Sequence, residues 1–355
     1  MTKPLLPRAN VQAGGTAKVR TVSPYAPRTT NPLISIVAAF RNEEKTVTEF
    51  FVEMERVART LQCRVEYICV NDGSCDATLD LLCTQLASNP KIRIIDLARN
   101  FGKEAAITAG LAHAKGDAAV IIDADLQDPP EIIHAFISKW REGYDVVYGV
   151  RTCRKVDAPL KRWTARSFYA LFNRMTDVQI PPGAGDFRLM DRRVVDALLS
   201  LPERNRFMKG LFSWVGFRQT GVEYVRAPRV AGASAWSYMR LVNFAIDGIT
   251  SFSIVPLRMA SLIGLTVSLV GFLYAVYLIL KTSILGVDVP GYASVMVAIM
   301  CLGGIQLLCL GLIGEYLGRL YIEAKARPLY IISNIIEQSN LANAPDLSNI
   351  VNAAE

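Results

Sequence analysis

Two stretches near the carboxyl end constrain this chain more than any other feature: residues 259–280 and 291–314 contain no Asp, Glu, Lys, Arg or His. At about 22 and about 24 residues, and at a helical rise of about 1.5 Å per residue, each spans a hydrocarbon core of about 30 Å. Soluble cores seldom hold two such runs, so a pair of transmembrane helices is expected. Arg226, Arg229, Arg240 and Arg258 precede the first run, and Arg319, Lys325 and Arg327 follow the second, whereas the connecting segment offers Lys281 against Asp288. The excess of basic residues at the outer ends puts both ends of the hairpin, and with them both termini, in the cytoplasm. Gly271, Gly286, Gly303, Gly304, Gly311 and Gly314 permit close helix approach within or between chains, leaving a homo-oligomer through the spans open.

Upstream, β-branched runs alternate with helix-length segments: LISIVAAF, then residues 43–61; VEYICVND, then 77–87; IRIIDL, then 103–114; AAVIIDAD, then 130–141; and DVVYGV. Strands apolar on both faces, separated by crossovers of this length, predict an α/β fold built on a mostly parallel sheet. Ligands of such sheets bind beyond the carboxyl ends of the strands. Asn42 and Glu43, Asp72, and Asp123 with Asp125 fall there, after the first, second and fourth strands.

The formal charge of +7 is concentrated at the start: residues 1–31 hold Lys3, Arg8, Lys18, Arg20 and Arg28 and no acid. With Pro4, Pro7, Pro24, Pro27, Gly14 and Gly15, this segment reads as a disordered basic tail. It lacks the apolar run of a secretory signal. Because the basic excess is a local tail, no nucleic-acid partner is expected. The seven cysteines show no C-x-x-C spacing, and the histidines, His113 and His134, stand apart, so neither a zinc cluster nor a disulfide framework is encoded. Residues 207–217 and 238–257 mix apolar and basic side chains and suit helices in the membrane interface or packed on the core.

Asp123 and Asp125 close a strand, and alternation along an extended chain puts their side chains on one side of it. With Gln127 in the same turn they offer hard oxygen ligands suited to Mg²⁺ or Mn²⁺, whose remaining positions diphosphate oxygens and water can fill. Pro129, Pro130 and Glu131 then open a helix. Arg99, Asn100, Gly102 and Lys103 mark a strand-to-helix junction where backbone N–H groups and Lys103 can approach a phosphate, or cap the helix. Asp72 within NDGS also suits an Asx-turn.

VAAFRNEE, VNDGSCDAT, LARNFGKEAAITAGLAHAKGD, DADLQDPPE and GAGDFRLMDR, followed by the helix pair, together resemble glycosyltransferase family 2 with a GT-A fold, of the polyprenyl-phosphate glycosyltransferase type. The likeness runs over residues 33–327 and implies a GT-A domain at 32–237, an interfacial region at 238–257, a transmembrane hairpin at 258–327 and a cytoplasmic tail at 328–355. It implies inverting transfer of a hexose, glucose favoured, from a UDP-sugar to polyprenyl phosphate at the cytoplasmic face of the inner membrane. Asn42, Glu43 and Asp72 would then bind the nucleoside, Asp72 by accepting from the base, with Asp123 at the ribose or metal and Asp125 and Gln127 on the metal. Asp186 and Arg188 would meet the acceptor and sugar, Asp186 as base or as sugar-positioning group. Arg151, Lys209, Arg229 and Ser234, with Arg204 and Arg206, would serve the lipid phosphate or headgroups. The chain departs from the family pattern at Ala235, where relatives often carry a lysine.

Two other readings are weighed. A processive polysaccharide synthase shares the sheet, but Pro159 stands where its Gln-x-x-Arg-Trp element needs Gln ahead of Arg162 and Trp163. A non-catalytic membrane assembly partner would retain the fold without the chemistry.

Overall fold

The computed structural model describes residues 28–152, 172–176, 178–181, 183–226, 248–285 and 291–341. Arg229, Ser234, Ala235, residues 1–27, residues 238–247 and the loop at 286–290 lie outside the described residues.

The strands are β1 (Leu33–Phe40), β2 (Arg64–Asn71), β3 (Ile92–Leu97), β4 (Ala118–Asp123), β5 (Val146–Arg151), β6 (Ala184–Asp191), β7 (Gln219–Tyr224) and β8 (Ile332–Ile336). They form one sheet in the order β7-β5-β6-β4-β1-β2-β3-β8. Helices α1 (Val47–Ala58), α2 (Thr78–Ser88), α3 (Lys103–His113), α4 (Ile132–Arg141), α5 (Arg192–Ser200) and α6 (Met208–Trp214) cover it. Strand periodicity divides the core. Ile34, Ile36, Ala38 and Phe40 of β1 and Val120 and Ile122 of β4 meet α1, α2 and α4 through Phe50, Leu82 and Phe136. Val37, Ile121 and Val70 point the other way, onto Ala106, Ile107, Val194 and Phe212 of α3, α5 and α6. These strands are buried on both faces, which is why they read as continuous apolar runs.

The sheet's mixed character comes from β6 and β8. β6 lies antiparallel between β4 and β5, and β8 pairs antiparallel with β3. The segment 328–341, assigned to a tail from sequence, therefore returns to the domain as its edge strand. β8 is short, and among its residues only Ile336 is buried, so no periodicity announced it. Arg93 of β3 pairs with Glu337, and Ala98 N–H donates to Ile331 O at 2.9 Å.

Gly73, after β2, shows how tightly the loops at the carboxyl edge are joined. Its φ is +60°, and a Cβ there would stand 2.4 Å from Asn100 N and 2.5 Å from Arg99 C. Gly73→Ala is expected to destabilise the protein by about 2–3 kcal/mol, through left-handed strain and the backbone clash together. Thermal unfolding of the detergent-solubilised protein checks this, and an unchanged midpoint would contradict the close approach.

Helices α7 (Val255–Leu285, 31 residues) and α8 (Tyr292–Lys325, 34 residues) are the expected hairpin. Val255–Tyr274 and Ala298–Lys325 are long and apolar enough to cross a membrane. Leu265, Phe272, Leu307 and Leu308 are each at least 65% exposed, a surface that water does not tolerate over such lengths. At the domain end the hairpin is tied down: Tyr316 OH donates to Ser253 O at 2.6 Å, and the Glu323 carboxylate accepts from Arg204 N and Asn205 N at 2.8 and 3.1 Å.

One open reading is decided and one expectation changes. Phe207, Met208, Leu211 and Phe212 are buried, so α6 belongs to the core, although Trp214 remains 54% exposed. The tail read as residues 1–31 ends sooner. Arg28 pairs with Asp145 at 3.2 Å and with Asp191, its guanidinium lying 4.8 Å from the Trp140 ring centroid, because those carboxylates need a cation in a half-buried site.

Candidate active site at the carboxyl edge of the sheet

β1 pairs in parallel with β2 on one side and β4 on the other, so the connections diverge there and open a crevice above their carboxyl ends. β6 runs the opposite way beside β4, with Arg188 opposite Ile121. Continuing that register by two residues sets Asp186 beside Asp123. Both carboxylates meet one cation: Lys103 Nζ lies 2.7 Å from Asp123 and 2.8 Å from Asp186. Lys103 opens α3, directly after Gly102 at φ +95°, so the turn that starts the helix also aims the lysine.

Electrostatics divide the two acids. Burial opposes charge on Asp186, but Lys103, Lys209 and Arg188 outweigh it and hold its carboxyl well below the usual range. Burial wins at Asp123, whose carboxyl is raised despite Lys103. Glu104, next in α3, is pushed up to about 8 by burial and by Asp186. Among the described residues, Asp186 Oδ1 is buried without a hydrogen-bond partner. An orphaned acceptor inside a cleft is an interaction held in reserve for a ligand.

The sequence argument for Asp123 and Asp125 needs correction. β4 ends at Asp123, and Asp125 lies in the turn that follows, where Leu126 takes φ +52°. Asp125 therefore leaves the sheet through a turn, and strand alternation does not set its direction. Gln127 is buried, and its N–H donates to Asp125 Oδ1 at 3.2 Å. Among the described residues no three His, Cys, Asp or Glu side chains form a closed metal cage. The set present, Asp125 and Gln127 beside an Asp123 already neutralised by Lys103, fits a hard divalent ion completed by substrate phosphates and water.

Asp72 is buried and does more than the sequence suggests. Its Oδ1 accepts from Phe101 N at 2.7 Å and its Oδ2 from Gly102 N at 3.0 Å, clasping the loop that leads into α3. The local turn falls instead to Asn71, whose Oδ1 accepts from Ser74 N at 3.3 Å. Asn42, at φ +54°, accepts from Cys75 N at 2.9 Å, and Glu43 accepts from Thr46 Oγ1 at 2.9 Å and donates its N–H to Thr78 Oγ1 at 2.8 Å. These residues knit the loops after β1 and β2 into one rim.

Arg188 is buried, donates to Gly185 O at 2.6 Å and lies 3.6 Å from the Phe212 ring centroid. Burial lowers its pKa to about 10. It supports β6 and adds positive potential beneath Asp186, whereas the resemblance implied that it would meet the acceptor and sugar. Lys209 on α6 acts on Asp186 from the same side. Arg151 closes β5, 3.5 Å from Asp128 and 3.1 Å from Tyr224 OH. Arg204 and Arg206 are spent on structure: Arg204 donates to Arg327 O, and Arg206 to Leu201 O at 2.8 Å and Glu203 O at 3.2 Å.

Sequence reasoning missed Glu104, Asp128 and Tyr224. Asp128 is 1% exposed and accepts from Tyr224 OH at 2.5 Å. Its place inside DADLQDPPE was the available signal, but partners on β5 and β7 are invisible along the chain.

Residues 35–199 match the glycosyl transferase family 2 profile, and residues 255–320 match that of the GtrB C-terminal hairpin. An uncharacterized glycosyltransferase of Synechocystis sp. is 55% identical over 302 residues, covering 85% of this chain and 95% of the relative. The bactoprenol glucosyl transferase of Shigella phage SfV is 48% identical over 301 residues, covering 85% of this chain and 98% of its own length. An uncharacterized glycosyltransferase of Bacillus subtilis is 47% identical over 298 residues, with 84% and 92% covered. The carboxylate-lined crevice and the apolar hairpin thus fall within the two matched regions, and the chain belongs to glycosyltransferase family 2, with a GT-A-like catalytic domain joined to a GtrB-type hairpin.

Proposed function

We propose that this glycosyltransferase moves glucose from UDP-glucose to the phosphate of a polyprenyl lipid, with inversion, at the cytoplasmic face of the inner membrane. The observation that carries the reading is the meeting of Asp123, Asp186 and Lys103 at the carboxyl edge of a domain tied to two membrane-length helices. Likeness to proteins named bactoprenol glucosyl transferase over most of the chain supports the acceptor and the sugar.

In this reading a lipid phosphate oxygen attacks the anomeric carbon, the bond from that carbon to the diphosphate breaks, and UDP leaves. The acceptor needs little help with its proton, since a phosphate monoester has a second pKa of about 6. Asp186, held ionised by its cationic neighbours, is too weak a base for proton removal at neutral pH and orients the sugar instead. Lys103 and Lys209 offset the charge of the carboxylates and of the incoming phosphates. Mg²⁺ or Mn²⁺ held by Asp125 and Gln127 would stabilise the departing diphosphate. Asn42, Glu43 and Asp72 line the nucleoside side. Arg151, with Arg229 and Ser234 from outside the described residues, serves the acceptor. The hairpin keeps the crevice within reach of a headgroup at the interface, which removes much of the entropic cost of the encounter.

The test is purified protein with labelled UDP-glucose, polyprenyl phosphate and Mg²⁺. A monoglucosyl lipid that grows with time is expected. Absence of lipid-linked label with every sugar nucleotide and metal tried would sink the reading.

A further inference from the structure

At the margin of the crevice, one buried carboxylate holds Arg151 together with a tyrosine and a second arginine to which the reaction above gives no part. Tyr224 and Arg151 face each other as register partners across the parallel pair β5 and β7. Arg151 Nε donates to Tyr224 OH at 3.1 Å, and Tyr224 OH donates to Asp128 Oδ1 at 2.5 Å. Asp128 Oδ2 lies 3.5 Å from Arg151 Nη2, and its Oδ1 lies 3.8 Å from Arg226 Nε. The tyrosine ring is itself fixed. It crosses Phe187 edge-on at 6.0 Å and lies on Gly149, where an added Cβ would stand 2.6 Å from Tyr224 Cε1.

A buried carboxylate is tolerated only when paired, and here two guanidiniums and a phenol surround it. Among the described residues, the two arginines exceed the single acid by one positive charge, and they keep 29% and 33% of their side-chain surface exposed. A Cβ added to Gly185, next to Asp186, would stand 3.3 Å from Arg151 Nη2, so the guanidinium lies against β6 beside the crevice. Burial and Asp128 both raise the pKa of Tyr224, so it remains an O–H donor throughout the physiological range. An arginine held at two points loses little freedom when it meets an anion.

We propose that Tyr224 and Asp128 are positioning residues for the acceptor phosphate: they hold the Arg151 guanidinium at the crevice edge, oriented to receive it. The inference rests on the lipid-phosphate reading above. Asp128 follows Gln127 directly, so the same residue joins the donor-side turn to the acceptor-side arginine.

Tyr224→Phe removes the hydroxyl and keeps the ring, so packing on Phe187 and Gly149 is retained. The expected result is a rise of about tenfold in the KM for polyprenyl phosphate, the loss of one charge-assisted hydrogen bond. The KM for UDP-glucose should stay as in the wild type, and the unfolding midpoint should fall only slightly, because Asp128 keeps both arginines. An unchanged acceptor KM, or equal rises in donor and acceptor KM, overturns the inference. If the wild type itself makes no glucosyl lipid, the lipid-phosphate reading fails and the inference falls with it. If the wild type transfers normally while Tyr224→Phe matches it, only the positioning role is lost.

Discussion

Asp125→Ala should reduce labelled lipid product by about 10²–10³-fold, the scale expected when a group that stabilises a developing leaving-group charge is removed. Asp125 and Gln127 share the turn after β4, and Gln127 N–H already organises the Asp125 carboxylate at 3.2 Å. Loss of the carboxylate leaves the amide oxygen of Gln127 with Asp123, and Asp123 is shared with Lys103. Chelation of the wild-type enzyme should reproduce the defect, and added Mn²⁺ should restore the wild type but not the variant. Full labelling in the variant, or in the presence of chelator, would refute the metal role. Folding is a small concern, because Asp125 is half-buried in a turn and lies outside the apolar core.

The second large effect is expected at Lys103. Lys103→Met keeps the stem and deletes the charge that lies between Asp123 and Asp186. Breaking a fully buried pair costs about 3–5 kcal/mol. Because the Lys103 side chain is 42% exposed, solvent screening brings the expected loss to about 1–2 kcal/mol. Activity should fall by about 10² or more, since the same lysine balances the incoming diphosphate. The pH dependence has a definite sign. Without Lys103, the adjacent carboxylates repel, and at least one acquires a folded-state pKa above its unfolded value of about 3.9. The folded variant then binds the extra proton, so its deficit relative to wild type shrinks as pH falls through that raised pKa. Lys103→Arg, which retains the charge, should recover most of the stability. A deficit independent of pH would show that the lysine acts through packing alone.

Much of this was readable along the chain. β1 to β4 and the helices between them coincide with the apolar runs and crossovers, because strands buried on both faces must be apolar throughout. The hairpin followed from length and charge alone. β6 and β8 were not legible: GAGDFRLMD carries charges on a strand that pairs between two others, and ISNII is a short edge with one buried residue. Asp123 and Asp125 were singled out from strand alternation, but the strand ends at Asp123 and Leu126 takes a left-handed step in the turn that follows.

The two uncharged runs determined by themselves that the chain carries a pair of membrane-length helices, because a hydrocarbon core admits little else. The order of apolar strands likewise determined an α/β sheet with polar residues at its carboxyl edge. Only the tertiary structure decided which of those polar residues meet. Asp186 reaches Asp123 because β6 runs antiparallel beside β4, and Lys103 serves both because Asp72 clasps the start of α3. Charge balance in a low-dielectric crevice depends on distances of a few ångströms between residues far apart in sequence. Such distances are set by strand order and loop closure, and neither has a signature in local periodicity.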